Sequence, residues 1–330
     1  MTISVIICTR NRHDKLLRCL QSLSFVERIG FCEVVVVDQS DQALDATILN
    51  FLKVEQLQYL WAKAQGVTKA RNQGVRKAYG EIIAFTDDDC IVTPNWIVNA
   101  ERAFSDNPTA LGIFGRVLAY GEKTEGVVHK QRVTAFGQTT RATKPDLLVC
   151  NAVFDRDGTF MFSQPCLPFE NLGSGNNMFI RREVFERYGM FVEQLGIGSW
   201  LHSAEDTEFH YRLLRAGCTL LYDSNILVYH DNWVNPEQNV RLQDGYTSGL
   251  VATWVYYGIH GDYLAWKFLL YRWQSVNKKI AEYIRGKSLL GCSKICFDRW
   301  KAFGKGIVGG ILLTIQLSLR RNSGNTNWRD

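Results

Sequence analysis

The stretch Ile82-Ile83-Ala84-Phe85-Thr86-Asp87-Asp88-Asp89 decides the fold, because it joins a continuous apolar run to three successive carboxylates. The run Ile82–Phe85 predicts a β-strand covered on both faces, as in the parallel sheet of an α/β protein. The three carboxylates repel one another, and a divalent cation relieves that repulsion because Mg²⁺ and Mn²⁺ prefer oxygen ligands. A solvated acidic turn is the alternative. The position directly after a strand favours a metal site that binds a diphosphate.

The first hundred residues alternate short β-branched runs with segments of helical periodicity. The predicted strands are Ile3–Ile7, Val34–Val37, Leu57–Leu60 and Ile82–Phe85, and predicted helices include Leu44–Leu52 and Gly66–Tyr79. This order predicts a mostly parallel sheet with helices on both faces and ligands beyond the carboxyl ends of its strands. Residues 118–172 predict irregular loops around minor strands. Farther on, Gly175–Arg181 and Leu220–Tyr229 predict strands, and Glu205–Ala216 predicts a helix.

Polar residues follow the first two predicted strands. Thr9 and Arg10 can supply a hydroxyl and a guanidinium group to a nucleotide, although basic loops are common. Asp38, two residues before Ser40, can accept hydrogen bonds from a base or a ribose, and a turn or helix N-cap is its alternative. Arg71, on the predicted helix before the acidic strand, can reach a diphosphate or the acidic cluster. Its alternative is a surface arginine.

Two further features lie later in the chain. Glu205 and Asp206 open a predicted helix, where acidic residues often serve as caps and complement the helix dipole. Asp206 also suits the task of taking a proton from an acceptor hydroxyl during a sugar transfer. His230 ends the last predicted strand, and it is either a structural histidine or the residue that completes a metal shell.

These motifs, in this order, resemble glycosyltransferase family 2 over about residues 1–235. The motifs are Cys8-Thr9-Arg10-Asn11-Arg12, Val37-Asp38-Gln39-Ser40, Ala70-Arg71-Asn72, Asp87-Asp88-Asp89, Gly175-Asn176-Asn177-Met178-Phe179-Ile180-Arg181-Arg182, Glu205-Asp206 and His230. The resemblance implies a GT-A nucleotide-diphospho-sugar transferase fold and an inverting transfer that depends on Mg²⁺ or Mn²⁺. It implies Asp87, Asp89 and His230 as metal ligands and Asp206, next to Glu205, as the general base. The nucleotide-sugar site that it implies comprises Thr9, Arg10, Asp38, Ser40, Arg71, Asp87, Asp88, Asn176 and Asn177.

Charge divides the chain into two parts. Residues 241–330 hold 14 Lys and Arg against 5 Asp and Glu, a net of +9, whereas residues 1–240 have a net of −4. We therefore predict a catalytic domain at 1–238, with a nucleotide-sugar half at 1–117 and an acceptor half at 118–238. A basic amphipathic helical extension follows at 239–330. Its Lys, Arg, Trp and Tyr residues favour peripheral contact with an anionic membrane over nucleic acid, for which no recognised module is present. Packing on the catalytic domain or on a second copy is the alternative.

The location expected from the sequence is the cytoplasm, at the inner face of a membrane. Nine cysteines without a CxxC pair suit a reducing compartment, and we expect neither a signal peptide nor a spanning helix. The nearest apolar run, Ile307–Leu319, is short and interrupted by glycines and Gln316.

The favoured function is transfer of a sugar from a nucleotide-sugar, by family analogy a UDP-sugar, to a saccharide or lipid-linked acceptor. A nucleotidyltransferase is one alternative, but Thr9–Arg12 lacks the glycine-rich loop that such enzymes use. The other is a nucleotide-sugar-binding module without turnover, which is expected to have lost its base or a metal ligand.

Overall fold

A computed structural model describes most of the 330-residue chain. The described residues are 1–27, 32–45, 56–63, 66–121, 128–129, 140–142, 152–154, 160–162, 173–231, 233–234, 236–286 and 289–322. Most of the predicted helix Leu44–Leu52 lies outside them.

A nine-stranded sheet forms the centre of the fold. Its strands are β1 (Ile3–Thr9), β2 (Cys32–Asp38), β3 (Leu57–Trp61), β4 (Ile82–Asp87), β5 (Cys90–Val92), β6 (Ala110–Ala119), β8 (Thr140–Ala142), β11 (Asn177–Arg181) and β12 (Thr219–His230). The main path of the sheet runs β3-β2-β1-β4-β11-β6-β12-β5, with β8 beside β12. Two small ribbons pair β7 (Val128–His129) with β13 (Trp233–Val234), and β9 (Ala152–Phe154) with β10 (Phe160–Phe162).

The described helices are α1 (His13–Leu23), α2 (Val67–Lys77), α3 (Trp96–Asp106), α4 (Arg182–Tyr188), α5 (Glu205–Arg215), α6 (Pro236–Ile259), α7 (Tyr263–Gly286) and α8 (Leu289–Asn322). The predicted α/β class is thereby confirmed, and so are the C-terminal helices. The sheet is parallel from β3 to β4, as the first hundred residues predicted. Beyond β4 it is mixed, because β11 inserts antiparallel to both β4 and β6.

The chain groups into two compact units. The first comprises Met1–Phe191 and Phe209–Val234, and the second joins Val192–Glu208 to the helices α6, α7 and α8. The prediction placed residues 192–208 in the acceptor half of the catalytic domain, whereas the contacts group this segment with the C-terminal helices. The predicted domain boundaries themselves stay a prediction.

The core of the first unit lies on the two faces of the sheet. β1, β2 and β4 contribute fully buried aliphatic side chains, and α1 and α3 cover one face with Leu16, Leu20, Trp96 and Phe104. On α2, Gly74 allows a close approach to β1, because a Cβ there would lie 2.5 Å from Ile6. This packing fixes the carboxyl ends of neighbouring strands at one edge.

The second unit is built from closely packed helices. Gly306 and Gly310 of α8 face α6, where an added Cβ would lie 2.6 Å from Val251 and 2.5 Å from Val255, respectively. Around this contact, Leu201, Ala252, Tyr256 and Leu313 belong to one buried cluster, and Val251, Val255, Val276 and Phe303 belong to another.

One side of α8 is apolar and exposed. We call this surface the α8 stripe; its residues are Ile307, Val308, Ile311, Leu312, Ile315 and Leu319. Within α8, the 23 residues Phe297–Leu319 are long and apolar enough to cross a membrane, by length and composition only. The expectation that no segment meets this criterion is therefore wrong. A core helix of a soluble protein meets the same criterion, and about 33% of the tested window is buried by protein.

Candidate active site

The three aspartates after β4 have different environments. The Asp88 side chain is fully buried and that of Asp89 nearly so, whereas the Asp87 side chain is 33% exposed. Asp87 is the last residue of β4, and Cys90 begins β5, so the aspartates form the corner between two strands. The corner directs their carboxylates to different partners.

Asp88 and Asp89 are held by the loop after β1. Thr9 donates its hydroxyl proton to Asp88 Oδ2 at 2.7 Å, and Arg12 Nε lies 3.0 Å from the same oxygen. Another nitrogen of the Arg12 guanidinium, Nη1, lies 2.8 Å from Asp89 Oδ2. Burial raises the pKa of Asp88 to about 7, and the positive charge of Arg12 opposes this rise. Arg12 thus partly neutralises the acidic corner.

Asp89 also contacts the histidine at the end of β12. His230 Nε2 lies 3.0 Å from Asp89 Oδ1, and both side chains are buried. Burial disfavours the Asp89 carboxylate, but the hydrogen bond with His230 and the charge of Arg12 outweigh burial and lower its pKa. The register of β12 on β5 pairs His230 with Cys90.

Asp89, Cys90 and His230 form a cluster whose ligand atoms lie within 4.8 Å of one another. Carboxylate and imidazole are both ligands of divalent first-row metals, so this pair fits such an ion. Burial raises the pKa of the Cys90 thiol well above its usual value, and a protonated thiol does not act as a metal ligand. Asp87, the other predicted carboxylate ligand, lies 3.3 Å from Arg71 Nη2. Its assignment to the metal stays a prediction.

Asp38 lies at the end of β2 in a second polar cluster. Its carboxylate accepts hydrogen bonds from the Ser40 backbone N–H at 2.7 Å and from the Tyr59 hydroxyl, and His13 Nε2 lies 2.8 Å away. Burial opposes ionisation of Asp38, but the hydrogen bonds from Ser40, Tyr59 and His13 outweigh it and lower the pKa. The Ser40 hydroxyl accepts a hydrogen bond from the Asn11 backbone N–H at 2.7 Å, which ties this cluster to the loop after β1.

Arg71 and the two asparagines occupy different positions. The guanidinium of Arg71 is buried and lies against Gly175, where an added Cβ would come within 2.7 Å of it. Asn176 accepts a hydrogen bond from the Ser174 hydroxyl at 2.5 Å. Asn177 is fully buried; it accepts from Trp96 Nε1 and donates to the carbonyls of Arg116 and Ile226, each at 2.9 Å. These bonds join β11 to α3, β6 and β12, so Asn177 has a structural role. Its contact with the nucleotide-sugar stays a prediction.

Glu205 and Asp206 begin α5 and belong to the second unit. Glu205 is buried, and Asp206 is half-buried with the Thr207 backbone N–H donating to its Oδ1 at 2.7 Å. The residues before them have left-handed backbone at His202 (φ 63°) and Ala204 (φ 75°). Their catalytic role stays a prediction.

The sequence argument missed two residues that contact Asp38, and it gave Arg12 no role of its own. His13 and Tyr59 contact Asp38, but each is a single polar residue in a helix or strand without a motif. Arg10 is exposed at the end of β1, whereas Arg12 contacts the aspartates. Only the three-dimensional path of the loop distinguishes these two arginines.

The sheet, with polar residues at the carboxyl ends of its strands, is similar to that of known sugar-transferring enzymes. The structure is similar to that of the mannosyltransferase PcManGT from Pyrobaculum calidifontis in complex with GDP-Man and Mn²⁺. The TM-score is 0.54 at 16% identity, over 95% of this chain and 86% of that one. The chain therefore has the GT-A fold.

The profile described as Glycosyl transferase family 2 matches residues 4–189, so the chain belongs to that family. Chondroitin synthase of Escherichia coli is 25% identical over 260 residues, which cover 69% of this chain and 34% of that protein. Hyaluronan synthase of Pasteurella multocida is 26% identical over 261 residues, or 74% of this chain and 26% of that protein. The matches thus span about a third or less of these two relatives. The family and these names support a glycosyltransferase enzyme, as predicted.

Proposed function

We propose that this chain is a metal-dependent, inverting glycosyltransferase that moves a sugar from a nucleotide-sugar to a saccharide or lipid-linked acceptor. The observation that carries the proposal is the buried contact of 3.0 Å between Asp89 and His230, in a chain of glycosyl transferase family 2. A carboxylate and an imidazole from two strand ends, with a basic loop beside them, suit an edge that binds a metal and a diphosphate. A UDP-sugar is the expected donor.

The first unit binds the donor. Asp38 accepts hydrogen bonds from the base, and the network of His13, Tyr59 and Ser40 holds its carboxylate ionised and in one orientation. The loop after β1 supplies Thr9 and Arg10 to the nucleotide, and Arg71 binds the diphosphate. Asp88, Asn176 and Asn177 complete this site, partly by holding its walls in place.

Asp87, Asp89 and His230 would hold a divalent metal ion, Mg²⁺ or Mn²⁺. The ion would supply positive charge opposite the leaving diphosphate. The chain's own cations, Arg12 and Arg71, add positive charge at the same edge of the sheet.

The proposed base lies at the start of α5. Asp206 takes the proton from the acceptor hydroxyl, and Glu205 is the second acidic residue of this helix start. The acceptor oxygen then forms a bond to the anomeric carbon while the bond from that carbon to the diphosphate oxygen breaks. The electron pair of the broken bond leaves with the nucleoside diphosphate. A single displacement of this kind inverts the anomeric configuration.

Turnover of a panel of nucleotide-sugars, with and without Mn²⁺, tests the proposal. We expect release of nucleoside diphosphate from at least one donor, its loss in EDTA and its recovery on addition of Mn²⁺. The variant Asp206→Asn keeps the shape of the side chain but cannot take the proton, so transfer should fall at least about 10²-fold while donor binding persists. Equal transfer by parent and variant would remove Asp206 from the mechanism.

We propose in addition that the protein is cytoplasmic and contacts the inner face of a membrane through the α8 stripe. The exposed apolar residues of the stripe recur at helical spacing, and the net charge of +9 over residues 241–330 complements anionic headgroups. Gly306 and Gly310 pack the opposite side of α8 against α6, so the stripe lies on the side of α8 that faces away from α6.

Co-sedimentation with vesicles of phosphatidylcholine, with and without phosphatidylglycerol, tests the contact. We expect binding to anionic vesicles, weakened several-fold by Ile315→Glu, because this change places a charge within the stripe. The matched control is Gln316→Glu, which adds the same charge at an exposed position that is already polar. Equal binding of both variants, or association of the protein with itself instead of with vesicles, would contradict the proposal.

A further inference from the structure

A cavity of about 540 Å³ lies in the second unit, outside the polar clusters of the first. The loop before α5 contributes Ile197 and His202 to its wall. Helix α6 contributes Arg241, Asp244 and Ser248, and helix α8 contributes Asp298, Lys301 and Lys305, among other residues. The size suits a monosaccharide or a disaccharide better than a single ion.

The cations of this wall outnumber its carboxylates. The basic residues of the wall are Arg241, Lys301 and Lys305, and the acidic ones are Asp244 and Asp298. His202 lies near Lys305: burial lowers the pKa of His202, and the charge of Lys305 lowers it further. Burial likewise lowers the pKa of Lys305. The charge of Lys305 thus disfavours a second positive charge on His202, and an anionic ligand between them would relieve that repulsion.

Asp244, a residue of the cavity wall, has a carboxylate oxygen that lacks a hydrogen-bond donor in the described part of the chain. Asp244 Oδ1 is buried and accepts no hydrogen bond from the residues that the structure describes. Burial raises the pKa of Asp244, and the charge of Arg299 opposes this rise. Buried carboxylate oxygens are nearly always satisfied, so this oxygen is an exception within the wall of the cavity.

The wall of the cavity is fixed to the start of α5. The Ser203 hydroxyl donates to the Gly245 carbonyl at 3.0 Å, and the Ser248 hydroxyl lies 3.0 Å from the Leu201 carbonyl. Gly249 permits this approach, since an added Cβ would lie 2.4 Å from the Ser203 hydroxyl oxygen. His202 therefore has a fixed position four residues before Asp206, so a ligand in the cavity touches the loop that carries the proposed base.

We propose that this cavity binds the acceptor through a negatively charged group, so that the acceptor is an anionic saccharide. Lys301, Lys305 and Arg241 bind a phosphate or carboxylate of the saccharide. The identification of this ligand as the acceptor rests on the proposed function. The binding of an anionic sugar is a property of the cavity alone.

Calorimetric titration of the full chain without any nucleotide-sugar tests the site, so failure of glycosyl transfer does not affect the outcome. The probes are glucose 6-phosphate, glucuronate and uncharged glucose. We expect at least one charged sugar to bind at least tenfold more tightly than glucose. If glucose 6-phosphate binds more tightly than glucuronate, phosphate is the recognised group; if glucuronate binds more tightly, carboxylate is. Equal affinity for all three sugars, or no binding of the charged ones at millimolar concentration, overturns the proposal.

Variants locate the binding. The double variant Lys301→Gln/Lys305→Gln should weaken binding of the charged sugar at least tenfold, whereas Lys278→Gln, an exposed lysine on α7, should not. If the double variant does not fold, Asp298→Asn serves instead. It removes a negative charge from the wall and should tighten binding about twofold to fivefold. Unchanged or weaker binding by Asp298→Asn contradicts the proposal.

Discussion

The two units of the molecule are held together by different contacts. The first unit buries ionisable and amide groups, among them Asp38, Asp88, Asp89 and Asn177, and satisfies them with partners from several strands and helices. The second unit is held by close helix packing at Gly306 and Gly310. A buried polar group is costly unless it is paired, so its partners impose a definite geometry. Glycine contacts instead set the distance between helices. Hydrogen-bonded polar groups therefore fix the geometry of the first unit, and the spacing of helices fixes that of the second.

The largest expected effect comes from the first unit. Asp89→Asn removes the charge of a proposed metal ligand but keeps a side chain that can contact His230, so transfer activity should fall about 10³-fold. The control is Asp106→Asn, an exposed residue at the end of α3. Turnover assays across a range of Mn²⁺ concentrations measure the effect. Activity within threefold of the parent would show that the polar corner does not perform the chemistry.

Asn177→Ala should cost about 3 kcal/mol of unfolding free energy, because it leaves one buried N–H and two carbonyls without their partner. Urea denaturation measures the loss. The control is Asn99→Ala, which removes a single exposed hydrogen bond to the Asn225 carbonyl. A stable variant with a raised KM for donor would instead support the prediction that Asn177 contacts the nucleotide-sugar.

The corresponding test in the second unit uses two glycines of the same helix. Gly310→Ala brings a methyl group within 2.5 Å of Val255 and should destabilise the protein by about 2 kcal/mol. At Gly304 an added Cβ would meet no side chain or backbone beyond the adjacent turns of α8 within 4 Å, so Gly304→Ala should stabilise α8 by up to about 1 kcal/mol. Chemical denaturation compares the two. Equal effects would show that close packing of α8 on α6 does not hold this unit together.

The smallest effect concerns Asp38. Because its pKa is lowered in the folded protein, it stabilises the fold above the pKa of unfolded Asp, and this stability is lost as the pH falls through the folded pKa. Tyr59→Phe removes one of the hydrogen bonds that lower the pKa, so the protein should lose about 1 kcal/mol at neutral pH and unfold at a slightly higher pH in acid. Acid titration followed by circular dichroism measures the shift. Tyr79→Phe, at an exposed hydroxyl, should leave it unchanged.

Much of the first unit could be predicted because its signals are local. Apolar runs of four or five residues marked β1, β2, β3 and β4, and the rule that ligands bind at carboxyl ends selected Asp38 and the three aspartates. His13 and Tyr59 could not be predicted in this way, since their contact with Asp38 joins α1 and β3 to β2. The α8 stripe could not be predicted either, because the sequence shows that a helix is apolar but not which of its sides another helix covers.

The sequence by itself determined the α/β class, the family, and the carboxylates and histidine that follow strands, because each of these depends on residues close together in the chain or on their order. Only the tertiary structure decided that Arg12 rather than Arg10 meets the aspartates, that Asp89 and His230 touch across 141 positions, and that the cations of α6 and α8 line one cavity. These contacts depend on strand register and helix rotation, which packing of the whole unit fixes and no local pattern records.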